Sequence, residues 1–202
     1  MTPRVWTGTV ATVGVLMCGC ESAADDGFIW VNYQNCPTTA TLSASQRATP
    51  VFESPWDKWA TLATHVPGGL AGEYPIIPVG VGWPTRVGVS LVDTTQAAAA
   101  LDSLAANWSI VSAKPWSFAR DSITLAQARW TIIELNDWYR YIDSRYYYDA
   151  RPFLNMAENR IELSLESAGK RSAMRTALIA QQVPCSLVAA RVRGPVSFAS
   201  SK

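Results

Sequence analysis

Side chains able to do chemistry are sparse in this sequence. A Ser–His–Asp hydrolase needs an imidazole as general base, and His65 is the one histidine in the chain. It lies in a Pro-rich stretch, and no Gly-x-Ser-x-Gly elbow is present to raise a serine nucleophile on a strand-to-helix turn. A solvated loop histidine is the plainer reading, and a hydrolase would have to be built on His65. A zinc site needs three or four ligands, more than one histidine and the cysteines left after pairing supply, so no metal is expected. Gly68-Gly69 and Gly80-Val81-Gly82 lack the lysine and the following helix of a phosphate loop, and they read as turns. Glu134 and Asp137 share a helix face at i, i+3, but a glycosidase pair needs a cleft as well as spacing, so a solvated face is expected. No catalytic residue and no cofactor is assigned.

Cysteine chemistry is more informative. The chain opens Met1-Thr2-Pro3-Arg4 and continues apolar over residues 5–17, the pattern of a signal segment, too short for the roughly 20 residues of a membrane span. Met17-Cys18-Gly19-Cys20 resembles a lipobox, which makes Cys20 the candidate for lipidation and the membrane a partner through that lipid. Ser22-Ala23-Ala24 offers the small residues an ordinary signal peptidase uses, so a free periplasmic or secreted form stands as the alternative. Both exits leave Cys36 and Cys185, which in an exported chain pair most simply as one disulfide; two separate buried thiols are the alternative. Closing so long a loop contributes about 4–5 kcal/mol on the chain-entropy account.

The elements that would position these residues belong to one globular domain. The chain has 202 residues, 49% of them hydrophobic, which suits a packed core and not disorder. Its 17 Lys and Arg against 16 Asp and Glu give no field to attract nucleic acid or anionic lipid. Residues 1–20 form the signal segment, 21–70 an irregular lead-in rich in Pro, Ser and Thr, 71–196 an α+β domain and 197–202 a tail. In the lead-in, Phe28–Trp30 and Val51-Phe52 read as short strands and Trp56–Ala63 as a short helix, with Trp30, Trp56 and Trp59 packing across the domain.

From residue 71 the pattern is regular. Val87, Val89 and Leu91 alternate in a strand; Asp93 and Thr94 cap a helix carrying Ala97, Leu101, Leu104, Ala105 and Trp108. Ile110–Phe118 reads as a strand, Ser122 as the cap of a helix over Ile123–Ile142, Tyr146–Phe153 as a strand and Asn155–Asn159 as a turn. Arg160–Glu166 alternates without a break, Ser167–Val183 is helical up to Pro184, and Leu187–Arg193 is the last strand. The order from Ile110 is the split βαβ, ferredoxin-like arrangement, an antiparallel sheet with helices on one face. A preceding ββα unit extends it, so that hairpin–helix–strand occurs at about 72–118 and again at 146–193, which suggests a duplicated ββαβ.

Several stretches carry a family resemblance. Asn159-Arg160 before an alternating strand, a helix ending in Val183-Pro184, and the valine-rich strand Val188–Arg193 resemble a bacterial module of exported proteins that precedes secreted trypsin-like proteases. That module is similar to the pro-regions of alpha-lytic-type proteases. Upstream, residues 66–74 and Val89–Asp93 look like the front half of exported proteins and lipoproteins with this module. The resemblance spans roughly 66–196 and implies a fold, not a catalytic residue. Nine residues follow Arg193, too few for a protease domain.

Two surfaces remain as candidates for binding. Leu125, Ala128, Ile132, Leu135, Tyr139 and Ile142 form one stripe of the long helix, and Trp130, Ile133 and Tyr141 lie on or near its opposite face. That second face is either covered by the lead-in or exposed as a binding patch. Arg160, Glu162, Ser164 and Glu166, with Arg191 and Arg193 beside them, read as a wet sheet face laced with ion pairs. Arg145-Tyr146-Tyr147-Tyr148 reads as an edge or sheet-surface strand. The expectation is a non-enzymatic exported module of the cell envelope that engages another envelope or secreted protein. The alternatives are a pro-region-like protease inhibitor or chaperone, docked through the sheet face and the tail 194–202, and a module binding glycan or cell wall through exposed tryptophans.

Overall fold

The structure, a computed structural model, describes residues 36–38, 41–47, 53–76, 86–117, 119–167 and 169–192. Two short helices lead in, α1 (Ala44–Arg47) and α2 (Asp57–Ala63). Then come β1 (Leu70–Ile76), β2 (Arg86–Leu91), α3 (Ala97–Asn107) and β3 (Ile123–Gln127). A long helix, α4 (Ile132–Ala150), joins them to β4 (Pro152–Asn155), β5 (Arg160–Leu165), α5 (Lys170–Ala180) and β6 (Val188–Val192). The fold is α+β, and hairpin–helix–strand occurs twice. In each half the hairpin is antiparallel and the strand after the helix returns parallel to the hairpin's second strand. A helical crossover brings a strand back in the same direction, so the parallel pairs follow from the connections.

The observed sheets correct the expected one. Two three-stranded sheets, β1-β2-β3 and β4-β5-β6, stand where a single antiparallel ferredoxin-like sheet was expected. Ile110–Phe118 forms no strand among its described residues: a 3₁₀ turn over Trp108–Ile110 runs into irregular chain. Ile123–Gln127, expected as the start of a helix, is instead the strand that pairs with β2. Helix α4 begins only at Ile132, because Thr131 and Glu134 make a full capping box: Thr131 Oγ1 accepts from Glu134 N at 3.2 Å, and Glu134 Oε2 accepts from Thr131 N at 2.8 Å. The helix then runs through Tyr146–Tyr148, expected as strand, and ends at Arg151, whose φ is +33°.

One hydrophobic core serves both halves, running from Leu62 and Leu70 through Leu91, Leu135 and Ile142 to Leu163 and Leu178, with none of these exposed. Helix α4 is buried round more than one face because α2 packs on it from one side and β4 and β5 from another. The described part of the lead-in thus belongs to the core. Near Gly88 the fit is closest: the Tyr74 ring occupies the space a side chain there would need. Cys36 and Cys185 form a disulfide with Cα atoms 5.8 Å apart, within the usual range. The signal segment with Cys20, the fragments Phe28–Trp30 and Val51-Phe52, Gly80–Gly82 and the tail lie outside the described residues.

Asn159 joins the halves. Its φ of +51° is the left-handed backbone that asparagine tolerates best after glycine, and it closes the turn expected over Asn155–Asn159. Its Oδ1 accepts from Arg129 N at 2.9 Å and Trp130 N at 2.8 Å, and its Nδ2 donates to Trp130 O at 2.8 Å. The β4–β5 turn is thereby bonded to the loop that launches α4. Asn159→Ala is expected to lower stability by about 2–4 kcal/mol in urea unfolding, through three lost hydrogen bonds and a side chain forced left-handed. Asn159→Gly should recover about 1 kcal/mol of that loss; equal losses would show that the backbone conformation costs nothing.

Candidate functional site

The expected binding patch on α4 is not a surface. Trp130 is 4% exposed and Tyr141 2% exposed, while Ile133 at 36% lies open. Trp130 is enclosed by the Asn159 clamp and the core, and the Arg129 guanidinium sits 5.0 Å from its ring centre. Tyr141 packs edge-on against Trp138, carries the Arg145 guanidinium over its ring, and donates its hydroxyl to Gln181. The two aromatics are core, and Ile133 is left alone. Leu125, assigned to the buried stripe, is exposed on β3.

The supposed wet sheet face is also partly closed. Glu162 is fully buried. Its carboxylate accepts from Asn155 Nδ2 at 2.5 Å and lies 3.0 Å from Arg191 Nε, an ion pair without hydrogen-bond alignment. Arg160 bridges Glu158 and, at 3.9 Å, Glu162. Arg191 is thus a neighbour of the glutamate row, as expected, and within that row Glu162 alone is enclosed, while Arg160, Glu166 and Arg191 keep a third or more of their side-chain surface in water.

His65 is exposed, and its imidazole has no hydrogen bond to a carboxylate among the described residues; its backbone carbonyl accepts from Ser103 Oγ at 2.5 Å. The best-connected serine, Ser54, donates to Asn136 Oδ1 at 2.7 Å, and Asn136 Nδ2 donates to Asp57 Oδ1 at 2.8 Å. With Arg140 3.5 Å from Asp57, this network ties α2 to α4, and the Ser54 hydroxyl is bonded to the Asn136 amide and not to a carboxylate or imidazole. Glu134 is occupied in the capping box. Asp137 borders a cleft of about 290 Å³ with Leu42, Arg47 and Arg140. Burial pushes the Asp137 carboxyl up, opposed by those two guanidinium groups. Among the described residues no group of three His, Cys, Asp or Glu side chains could hold a metal ion.

A second cleft, about 400 Å³, lies where a strand was expected. Trp108, Ser109, Ser112, Lys114 and Trp116 line it, with Ala105 and Ala106 of α3. Three tryptophans meet edge to face: Trp59 and Trp108 at 5.6 Å between centroids, Trp108 and Trp116 at 4.7 Å. Trp59 and Trp108 both pack against the core, so the half-buried rings have a fixed base. The Lys114 backbone N–H donates to Ser112 Oγ at 3.1 Å, which shapes the loop, and the Lys114 side chain is exposed. Sequence reasoning missed this site because Trp108 was assigned to a helix and Trp116 to a strand.

Burial also acts on Glu73 of β1, whose carboxyl is pushed up to about 7 from 4.5. Between those values the folded chain holds a proton that the unfolded chain has released, so stability falls as pH rises from 4.5 to about 7. Glu73→Gln is expected to flatten that decline: its advantage over the parent should be absent below pH 4.5, grow to about pH 7 and then level off. Urea midpoints across pH would show it, and parallel profiles for the two chains would refute it.

No protein-family model matches the chain, and no curated protein is significantly similar to it.

Proposed function

We propose that this chain is an exported, non-enzymatic binding module of the cell envelope, held by a lipid at Cys20, and that the Trp108–Trp116 cleft takes a sugar-containing ligand. The observation carrying the reading is that cleft. Its volume is that of a small-ligand site, and it combines two anchored indoles with two serines and a lysine. Indole faces suit the C–H faces of a pyranose, while hydroxyl and ammonium groups suit its oxygens. The Cys36–Cys185 disulfide fits an oxidising compartment. No helix of the described residues is long and apolar enough to cross a membrane. Retention on purified peptidoglycan and polysaccharides tests the reading. Ala106→Trp, which fills the cleft from an exposed helix position, is expected to weaken retention at least about tenfold. No retention of the parent chain, or retention indifferent to Ala106→Trp, would overturn it.

A second reading, engagement of another protein, is favoured by the end of α4. Tyr148 is 89% exposed, Tyr147 52% and Phe153 46%, with Arg151 exposed among them. Tyrosine and arginine are the side chains that dominate interface hot spots. In the narrower form suggested by the pro-region resemblance, the partner is a secreted trypsin-like protease. Inhibition of such proteases by the chain, weakened by Tyr148→Ala, is the expected result; no inhibition across a panel would exclude that form.

A further inference from the structure

The walls of the cleft beside Asp137 are tied together at Gln181, just past the end of α5. Gln46 Nε2 on α1 donates to Gln181 O at 2.9 Å, and the Tyr141 hydroxyl on α4 donates to Gln181 Oε1. α1 is itself fixed by a capping box: Gln46 N donates to Ser43 Oγ at 3.2 Å, and Ser43 N to Gln46 Oε1 at 2.8 Å. Leu42 and Tyr141 are buried and supply apolar lining. Gln46 and the Tyr141 hydroxyl are occupied in holding the walls. The polar groups that remain are Arg47, Arg140 and Asp137.

These charged groups border one cleft without closing on each other. Arg47 is held by its own turn: Nε and Nη2 donate to Leu42 O at 3.1 and 3.0 Å, and Nη1 has no partner among the described residues. Arg140 lies 3.5 Å from Asp57, and its guanidinium, Nε included, makes no hydrogen bond among the described residues. Each guanidinium thus keeps N–H donors suited to a planar carboxylate. Asp137 is exposed, and it has neither an ion pair nor a hydrogen bond among the described residues. Both arginines still act on its carboxyl, as do Asp57, which faces Arg140, and Glu134, which is bound to Thr131. A plain anion in the cleft would be repelled by Asp137, and a plain cation by the arginines. A small ligand carrying both charges complements all of them. We propose that this cleft binds a free α-amino acid, its carboxylate on Arg47 and Arg140, its ammonium on Asp137 and its side chain against Leu42 and Tyr141. The volume of about 290 Å³ lies at the small end of ligand sites, which suits a molecule of that size. The site shares no residue with the tryptophan cleft and stands apart from the sugar reading.

Chemical-shift titration of the full chain with the free α-amino acids, their N-acetyl derivatives and their amides tests the proposal. At least one amino acid is expected to bind with a Kd below about 1 mM. Acetylating its ammonium or amidating its carboxylate should each weaken binding at least about tenfold. Asp137→Asn should weaken binding of that amino acid at least about tenfold while leaving its N-acetyl derivative bound no more weakly than by the parent chain. A variant that merely folded badly would lose both ligands. The proposal is overturned if no amino acid binds at about 10 mM, or if the N-acetyl derivative binds the parent as tightly as the amino acid does. It is equally overturned if Asp137→Asn leaves both affinities unchanged or weakens both alike.

Discussion

The amide of Asn159 fixes the path of the chain between its two halves. A hairpin turn and a helix-launching loop, about thirty residues apart in sequence, are held by one planar group that both accepts and donates. The geometry is demanding: the side chain reaches the loop from a left-handed backbone, a conformation that most residues resist. Once Arg129 and Trp130 are fixed, Thr131 is placed to cap α4, and Trp130 closes over the core. Helix α4 in turn touches α2, β1, β4 and β5. The shared core therefore depends on a polar contact at its rim, because hydrophobic burial supplies the bulk of the stability but does not select the angle at which the two sheets meet.

How much of this was legible in the sequence depends on how far each signal reached. Local, self-contained signals were readable: β5 from its alternation, the Asn159 turn from residue chemistry, the disulfide from cysteine arithmetic, and α5 from its period, although α5 ends at Ala180 and not at Pro184. β3 was hidden because Leu125, Ala128, Ile132 and Leu135 fall by coincidence at helical spacing across a strand, a loop and a helix start. The capping box Thr131–Glu134 was the signal that could have divided them. Trp130 and Tyr141 were assigned to a second helix face, but Trp130 precedes α4 and both are buried, by elements that arrive from distant sequence. The Trp108–Trp116 cleft is likewise tertiary, since edge-to-face stacking with Trp59 has no sequence period.

The two sheets treat charge differently. In the second, Glu162 is wholly enclosed, yet its partners Arg160 and Arg191 keep about a third to a half of their side-chain surface in water. A buried carboxylate is tolerated when its countercharges stay solvated, because only one ion bears the full desolvation penalty. In the first sheet, Glu73 has no arginine paired with it among the described residues, and burial pushes its carboxyl up to about 7. Similar topology thus sets one carboxyl beside two guanidinium groups and leaves the other without one among the described residues.

The bond between Cys36 and Cys185 has a mechanical consequence. Tension applied to the chain on either side of this bridge passes through the sulfurs and bypasses everything enclosed by the 149-residue separation. Both hairpins, α4 and most of the core lie inside that covalent ring and would feel no load. β6 lies outside it, at Val188–Val192, held to the fold by its parallel pairing with β5. A pull from the C-terminal side would therefore peel one strand and then stop. Under tension β6 is therefore a mechanical fuse, and the rest of the fold a body that force can move but not open.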